Sequence, residues 1–265
     1  MKRHFLFYFL LLSLASAYGQ FDTKIQIEYS KTVGDSFEIY ISLPPAYNLN
    51  DTYNIVYYCD ANLKSGTHLR ELISTNQYNN LRNSIFVGIG HIGNFHVLRR
   101  RDFILPTISG YDTVGRDKNY GQTEKFYSYL KNELVPFINS KFKTNVDSNS
   151  ILGHSLGGLF AFFCLFKSDN LFSKYFALSP ALWIDKYSIY KFNHVQTGFS
   201  RNKYLYFASG SNETVNKILK GTNEAKVFLD TRQYANLTYD YDIWNGETHN
   251  SEVPLSLEKI LKEKL

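Results

Sequence analysis

At 265 residues, with 44% hydrophobic, 20% charged and 17% aromatic content, the chain is neither disordered, collagen-like nor a membrane bundle. The formal charge is +5, of which Lys2 and Arg3 carry two units, and no Lys/Arg-rich face marks a nucleic-acid surface. Phe and Tyr number 21 each, dispersed along the chain, which reads as a compositional preference spread over core and surface rather than a sugar-stacking platform.

Lys2, Arg3 and His4 precede a short apolar stretch, Phe5 to Leu14, and then the small residues Ala15, Ser16 and Ala17. This is the layout of a cleaved secretory signal, cut after Ala17 or Gly19. The apolar run falls short of the roughly 20 residues that span a bilayer. The expectation is a leader over 1–19, one domain over 20–265, and a secreted or periplasmic protein without stable membrane insertion. Cys59 and Cys164 both sit in apolar surroundings and read as buried free thiols. No Cys or His pair has the spacing of a zinc site.

In chain order, Ile25, Ile27 and Tyr29 alternate with polar residues, as do Phe37, Ile39 and Ile41, and Gly34-Asp35 supplies a turn between them. This predicts an antiparallel hairpin of half-buried strands. From Ile55 the apolar runs become continuous: Ile55 to Cys59, Ile85 to Ile89, Tyr175 to Leu178 and Tyr204 to Ala208. Strands covered on both faces read this way, which predicts a parallel sheet flanked by helices. Gly90 to Tyr120 reads as a long irregular loop containing Gly110, Gly115 and the Arg99-Arg100-Arg101-Asp102 run, at the sheet edge where α/β folds bind ligands. Phe126, Leu130, Leu134 and Ile138 mark a helix over about Thr123 to Asn139, and Val253, Leu257, Ile260 and Leu261 mark a last helix. The fold class is α/β: a mostly parallel central sheet, an N-terminal antiparallel hairpin, and helices on both faces.

The chemistry concentrates in Gly153-His154-Ser155-Leu156-Gly157, a Gly-x-Ser-x-Gly pattern between a short apolar strand and an apolar helix, Leu156 to Phe166. A strand-to-helix turn of this kind holds its central residue in a strained conformation, which is tolerable where the residues two before and two after lack bulk. Ser155 is therefore the candidate nucleophile, and the ring of His154 is expected to point into packing. A serine hydroxyl needs a base. His249 lies C-terminal to both the elbow and the following strand, as the Ser–acid–His order of α/β-hydrolases requires. The acid belongs after the Tyr204–Ala208 strand, where Glu213 stands; Asp230, Asp240 and Asp242 are rivals. The oxyanion donors would be the backbone N–H groups of Leu156 and Asn62, the latter in the loop after the first parallel strand.

Four stretches carry a family resemblance: Arg101-Asp102-Phe103 with Pro106; Tyr129-Leu130 through Glu133 to Ile138; Gly153 to Ala161; and Leu178-Ser179-Pro180-Ala181-Leu182-Trp183. Over roughly Ile25 to Leu261 the chain resembles the Putative esterase family, which includes enterochelin-type siderophore esterases, esterase D and the mycolyltransferases. The resemblance implies Ser155 as nucleophile, His249 as base and an acid after the penultimate strand, matched by Glu213. Two departures stand out: Asp60-Ala61 replaces the family's Asp-Gly, and Ile184 follows Trp183 where a second aromatic is common. Trp183 and Arg101 are the candidate substrate-binding residues, Arg101 alternatively pairing with Asp102 to shape the long loop.

Together these features predict an exported serine esterase acting on a small-molecule or glycan ester: a siderophore lactone, an acylated or feruloylated sugar, or a small ester. No metal or organic cofactor is implied, and no feature sets an oligomeric state. Acyl transfer to an alcohol and a non-catalytic binding protein on the same fold are the alternatives.

Overall fold

The computed structural model describes residues 20–75, 77–106, 120–213 and 217–265. The leader expected at 1–19, and Gly110 and Gly115, lie outside the described residues. Eight strands form one sheet in the order β1-β2-β4-β3-β5-β6-β7-β8. These are β1 (Asp22–Ser30), β2 (Asp35–Leu43), β3 (Asn54–Cys59), β4 (Ser84–His91), β5 (Ser150–His154), β6 (Lys174–Leu178), β7 (Gly198–Gly210) and β8 (Ala235–Trp244). β1 pairs with β2, and β2 with β4, antiparallel; every other pairing is parallel. All four continuous apolar runs become parallel strands, and the N-terminal hairpin forms.

The helices divide between the two faces. On one lie α1 (Lys64–Ser74) and α7 (Glu252–Lys259), whose Leu69, Ile73, Val253 and Leu257 pack on Val56, Tyr58, Phe176 and Tyr206. The other face carries α2 (Phe95–Phe103), α3 (Thr123–Tyr129), α4 (Val135–Lys141), α5 (Leu156–Phe166) and α6 (Ile218–Arg232), over Tyr57, Val87, Ile151 and Phe207. α3 and α4 are one helical run joined by a π turn at Leu130–Leu134, in which Val135 N–H bonds to Leu130 O. The turn sits immediately before Pro136, which has no N–H and whose ring would crowd a regular helix; the wider turn lets the predicted helix continue past it.

Two expectations are corrected. The segment from Gly90 to Tyr120 is not irregular throughout, because α2 occupies Phe95–Phe103 within it. Of the α2 residues only Asp102 and Phe103 are buried, so no apolar stripe announces the helix. The alternating residues of β1 are not half-buried: Ile25, Ile27 and Tyr29 are 59%, 67% and 62% exposed. β1 is an edge strand, and Ile25 pairs with Tyr40 of β2, whose ring lies under the guanidinium of Arg70 from α1. The cover on this face stops at β2.

The aromatics, scattered in sequence, converge in space. Phe126 is fully buried against Phe37, Phe103, Tyr129 and Phe160, with centroids 5.0 to 5.9 Å apart. Cys59 and Cys164 are buried and unpaired. Because Phe126 joins α2, α3, α5 and β2, Phe126→Ala should lower unfolding stability by about 3–5 kcal/mol. Urea denaturation checks this; a loss below about 1 kcal/mol would mean that the ring cluster does not hold these helices.

Candidate active site

β5 runs into α5 through Ser155, which adopts φ 60° and ψ −113°, a left-handed conformation rare outside glycine. The crossing of strand and helix dictates it. A Cβ on Gly153 would lie 2.2 Å from the carbonyl of Gly157, so the chain passes only with glycine there. Ser155 N–H bonds to Leu178 O at 2.9 Å, and Ser155 O accepts from Leu159 N–H and Ala181 N–H, both at 3.0 Å. The serine's backbone is thus clamped between α5 and the turn after β6, and its side chain stands at the helix N-terminus.

The loop after β3 approaches from the other side. Asp60, also left-handed at φ 59°, is held by a bidentate pair with Arg99 at 2.7 and 2.9 Å. Ala61 N–H is spent on Ile89 O at 3.0 Å, whereas Asn62 N–H meets no acceptor among the described residues. The side chain of Asn62 is tied down separately, its Nδ2 donating to His91 O at 2.8 Å. Asn62 therefore has a backbone donor to offer and a side chain that fixes where it points.

Glu213 and His249 arrive on different loops, three residues beyond β7 and five beyond β8. The loops can touch because residue 210 is glycine: a Cβ there would lie 2.1 Å from Glu247 O. Asn212 N–H then reaches Glu247 O at 2.9 Å, and Asn212 Nδ2 reaches Gly246 O at 2.8 Å. Across this seam His249 Nδ1 meets Glu213 Oε2 at 2.6 Å, and Glu213 Oε1 accepts Gly210 N–H at 2.6 Å. The Glu213 side chain is 2% exposed and that of His249 27%, so the carboxylate sits behind an imidazole that still faces solvent. Asp240 and Asp242, its sequence rivals, pair instead with Lys264 and Lys259, and Asp230 pairs with Lys226.

His154 does more than pack. Its Nε2 lies 2.8 Å from His249 O and its ring centroid 4.5 Å from that of His249. Burial, reinforced by the neighbouring His249, pushes His154 down to about 3. It is therefore neutral at ordinary pH and donates Nε2–H to the His249 carbonyl. This brace on His249 escaped the sequence, where His154 carries no signal beyond its place before the serine.

Two cavities flank Ser155. One of about 510 Å³ is lined by Lys64, His68, Arg99, Ser155 and His249, and one of about 410 Å³ by Arg100, Tyr120, Leu156, Trp183, Ser155 and His249. Trp183 thus faces the site, as its candidate role requires. Arg101 lines neither cavity. Its guanidinium grips fully buried Asp102 at 2.7 and 2.9 Å and Asp35 at 2.7 Å, while Asp102 Oδ2 also meets His91 Nε2 at 3.0 Å. Burial alone would lower the affinity of Arg101 for its proton, but its bonds and attraction to Asp102 and Asp35 outweigh that and raise it. Of the two roles expected for Arg101, its contacts match the pairing with Asp102: it joins α2 to β2, and the arginines facing the cavities are Arg99 and Arg100.

Residues 30–254 match the family model described as Putative esterase. The chain belongs to this family, and its reaction class is the hydrolysis of ester bonds. It is similar to the ferri-bacillibactin esterase BesA of Bacillus subtilis, 25% identical over 256 residues that cover 91% of this chain and 88% of the relative. A shorter stretch of 102 residues is 32% identical to the siderophore triacetylfusarinine C esterase of Aspergillus fumigatus, covering 37% of this chain and 34% of that protein. Among solved structures, an IroE-like serine hydrolase from Shewanella oneidensis superposes with a TM-score of 0.77 at 25% identity, covering 91% of this chain and 79% of that one.

Two measurements test the site's framework. Arg101→Ala should cost about 3 kcal/mol of stability by leaving buried Asp102 short of its cation, seen as a lowered urea midpoint; a raised KM with an unmoved midpoint would return Arg101 to the substrate. Because the folded state disfavours protonated His154, the stability it contributes is present above the ordinary value of 6.5 and lost as pH falls towards about 3. His154→Gln should therefore show a shallower acid loss of stability over that window, and an identical slope in both proteins would contradict a neutral His154.

Proposed function

We propose that the protein is an exported serine esterase, with Ser155, His249 and Glu213 as its triad and a siderophore ester as its substrate. The observation that carries this is the 2.6 Å Glu213–His249 bond beside a left-handed serine, with Ser155 and His249 lining the same two cavities. Glu213 accepts the Nδ1 proton and so leaves Nε2 of His249 free to act as base. Ser155 Oγ attacks the acyl carbon while His249 Nε2 takes its proton. The oxygen that gains charge is met by the backbone N–H groups of Leu156 and Asn62, each such donor being worth about 100- to 1000-fold in rate. His249 then protonates the departing alcohol, and water, deprotonated by the same imidazole, releases the acid.

Two features favour a siderophore ester over a neutral sugar ester. Two of the relatives named above are a ferri-bacillibactin esterase and a siderophore triacetylfusarinine C esterase. Lys64 and Arg100 line the cavities as cations, with His68 and His96 beside them, while Asp60 and Arg99 offset each other. An acyl group bearing acidic hydroxyls, such as a catecholate, suits such walls. The leader at 1–19 supports export.

A fluorophosphonate probe should label Ser155 in the wild type and nothing in Ser155→Ala, as mapped by peptide mass. Glu213→Gln should lower kcat by about 10³- to 10⁴-fold while leaving the cavities intact. Labelling elsewhere, or a Gln variant of near-normal rate, would overturn the triad. A catecholate trilactone should exceed 4-nitrophenyl acetate in kcat/KM by about tenfold or more; the reverse order would remove the siderophore assignment and leave the esterase.

A further inference from the structure

A second carboxyl group lies behind Glu213. Glu252, the first residue of α7, is fully buried, and its carboxyl contacts two hydroxyls and, among the described residues, no cation. Ser179 stands between the two acids, its Oγ 2.6 Å from Glu213 Oε1 and 2.7 Å from Glu252 Oε1. Ser179 is itself left-handed, at φ 40°, a strain that persists where surrounding contacts over-determine it.

A hydroxyl has one proton to donate. Ser179 can therefore satisfy one of these two oxygens, and the other must bring a proton of its own or set lone pair against lone pair. The remaining partners decide which. Glu213 already accepts Gly210 N–H on Oε1 and faces His249 Nδ1 on Oε2, both at 2.6 Å, surroundings that stabilise an anion. Glu252 Oε2 accepts only the hydroxyl of Ser256 at 2.6 Å, and Ser256 Oγ in turn accepts Trp244 Nε1–H at 2.8 Å. Assigned this way, every donor has an acceptor along one direction, from Trp244 through Ser256, Glu252 and Ser179 to Glu213.

We propose that Glu252 is a positioning residue: a neutral carboxylic acid that donates its proton to Ser179, turns the Ser179 hydroxyl onto Glu213, and leaves Glu213 the single anion behind His249. This rests on the triad reading above. The surroundings agree. Burial raises Glu252 most, Ser256 and Ser179 pull it back, and Glu213 and Glu247 raise it further, so that it is pushed up to about 8. The titratable groups facing it are Glu213 from the loop after β7, Glu247 from the loop after β8, and Tyr206 from β7, whose own ionisation burial pushes higher still. Lys259, farther along α7, is spent on Asp242 at 2.7 Å. When Glu252 ionises, two buried anions compete for one hydroxyl and the hold on Glu213 weakens.

Infrared difference spectroscopy on the full chain reads this without catalysis. Wild type and Ser155→Ala at neutral pH should both show a protonated-carboxyl C=O band, fading around pH 8 and missing in Glu252→Gln. In parallel, kcat/KM for a neutral ester, normalised to each protein's own neutral-pH value, should fall about tenfold per pH unit above that midpoint in wild type. The same profile should stay level in Glu252→Gln, whose amide keeps a donor towards Ser179. No band at neutral pH, or the same alkaline fall in both proteins, overturns the proposal; the first needs no variant to fold. A failed triad shows differently, as an unlabelled Ser155 with the band intact.

Discussion

The site hangs on the place where β5 and α5 pass too closely for any side chain. Gly153 lets β5 meet the first turn of α5, Gly157 lets that turn lie against Cys59 and Asp60 at the end of β3, and Ser155 between them is left-handed. Its main chain does the rest. By bonding to Leu178 O and Ala181 N–H, Ser155 binds the turn after β6 to the elbow. That turn carries Ser179, which faces Glu213, and leads to Trp183, which lines a cavity. One steric constraint thereby places three functional groups that share no local motif.

A second close passage answers the first. At Gly210 the loops after β7 and β8 lie in contact, and Glu213 is joined to His249 across the join. The two halves are then linked by His154, adjacent to Ser155, through the His249 carbonyl. Electrostatics keeps this link quiet, because an imidazole that stays neutral adds no charge beside that of His249. The two buried carboxylates near the serine each have donors in place, Asp60 the guanidinium of Arg99 and Glu213 the Gly210 N–H and His249 Nδ1.

Much of this was legible in the sequence, for reasons that separate what was seen from what was missed. Strands buried on both faces announce themselves by unbroken apolar runs, and all four such runs form parallel strands. The π turn at Leu130–Leu134 stays invisible, yet the helix around it was readable because apolar spacing survives a one-residue widening. α2 was missed because it buries only its last two residues, and its arginines face cavities or acids rather than a simple solvent side. The exposed face of β1 was misjudged because alternation reveals which residues share a side, not whether a helix reaches far enough to cover it. Ser155, His249 and Glu213 stand out by chain order and neighbouring strands. His154, Ser179 and Glu252 do not, because their partners lie 95, 34 and 73 positions away and only folding brings them together.

The two unpaired thiols give the molecule an internal clock. Cys59 sits at the end of β3 beside the elbow and Cys164 in the last turn of α5, and burial pushes both well above the usual thiol range. Neither can meet an alkylating reagent while the sheet and α5 stay docked, so each modification event records an opening. Reducing surroundings, for their part, find no cross-link to cut between the two.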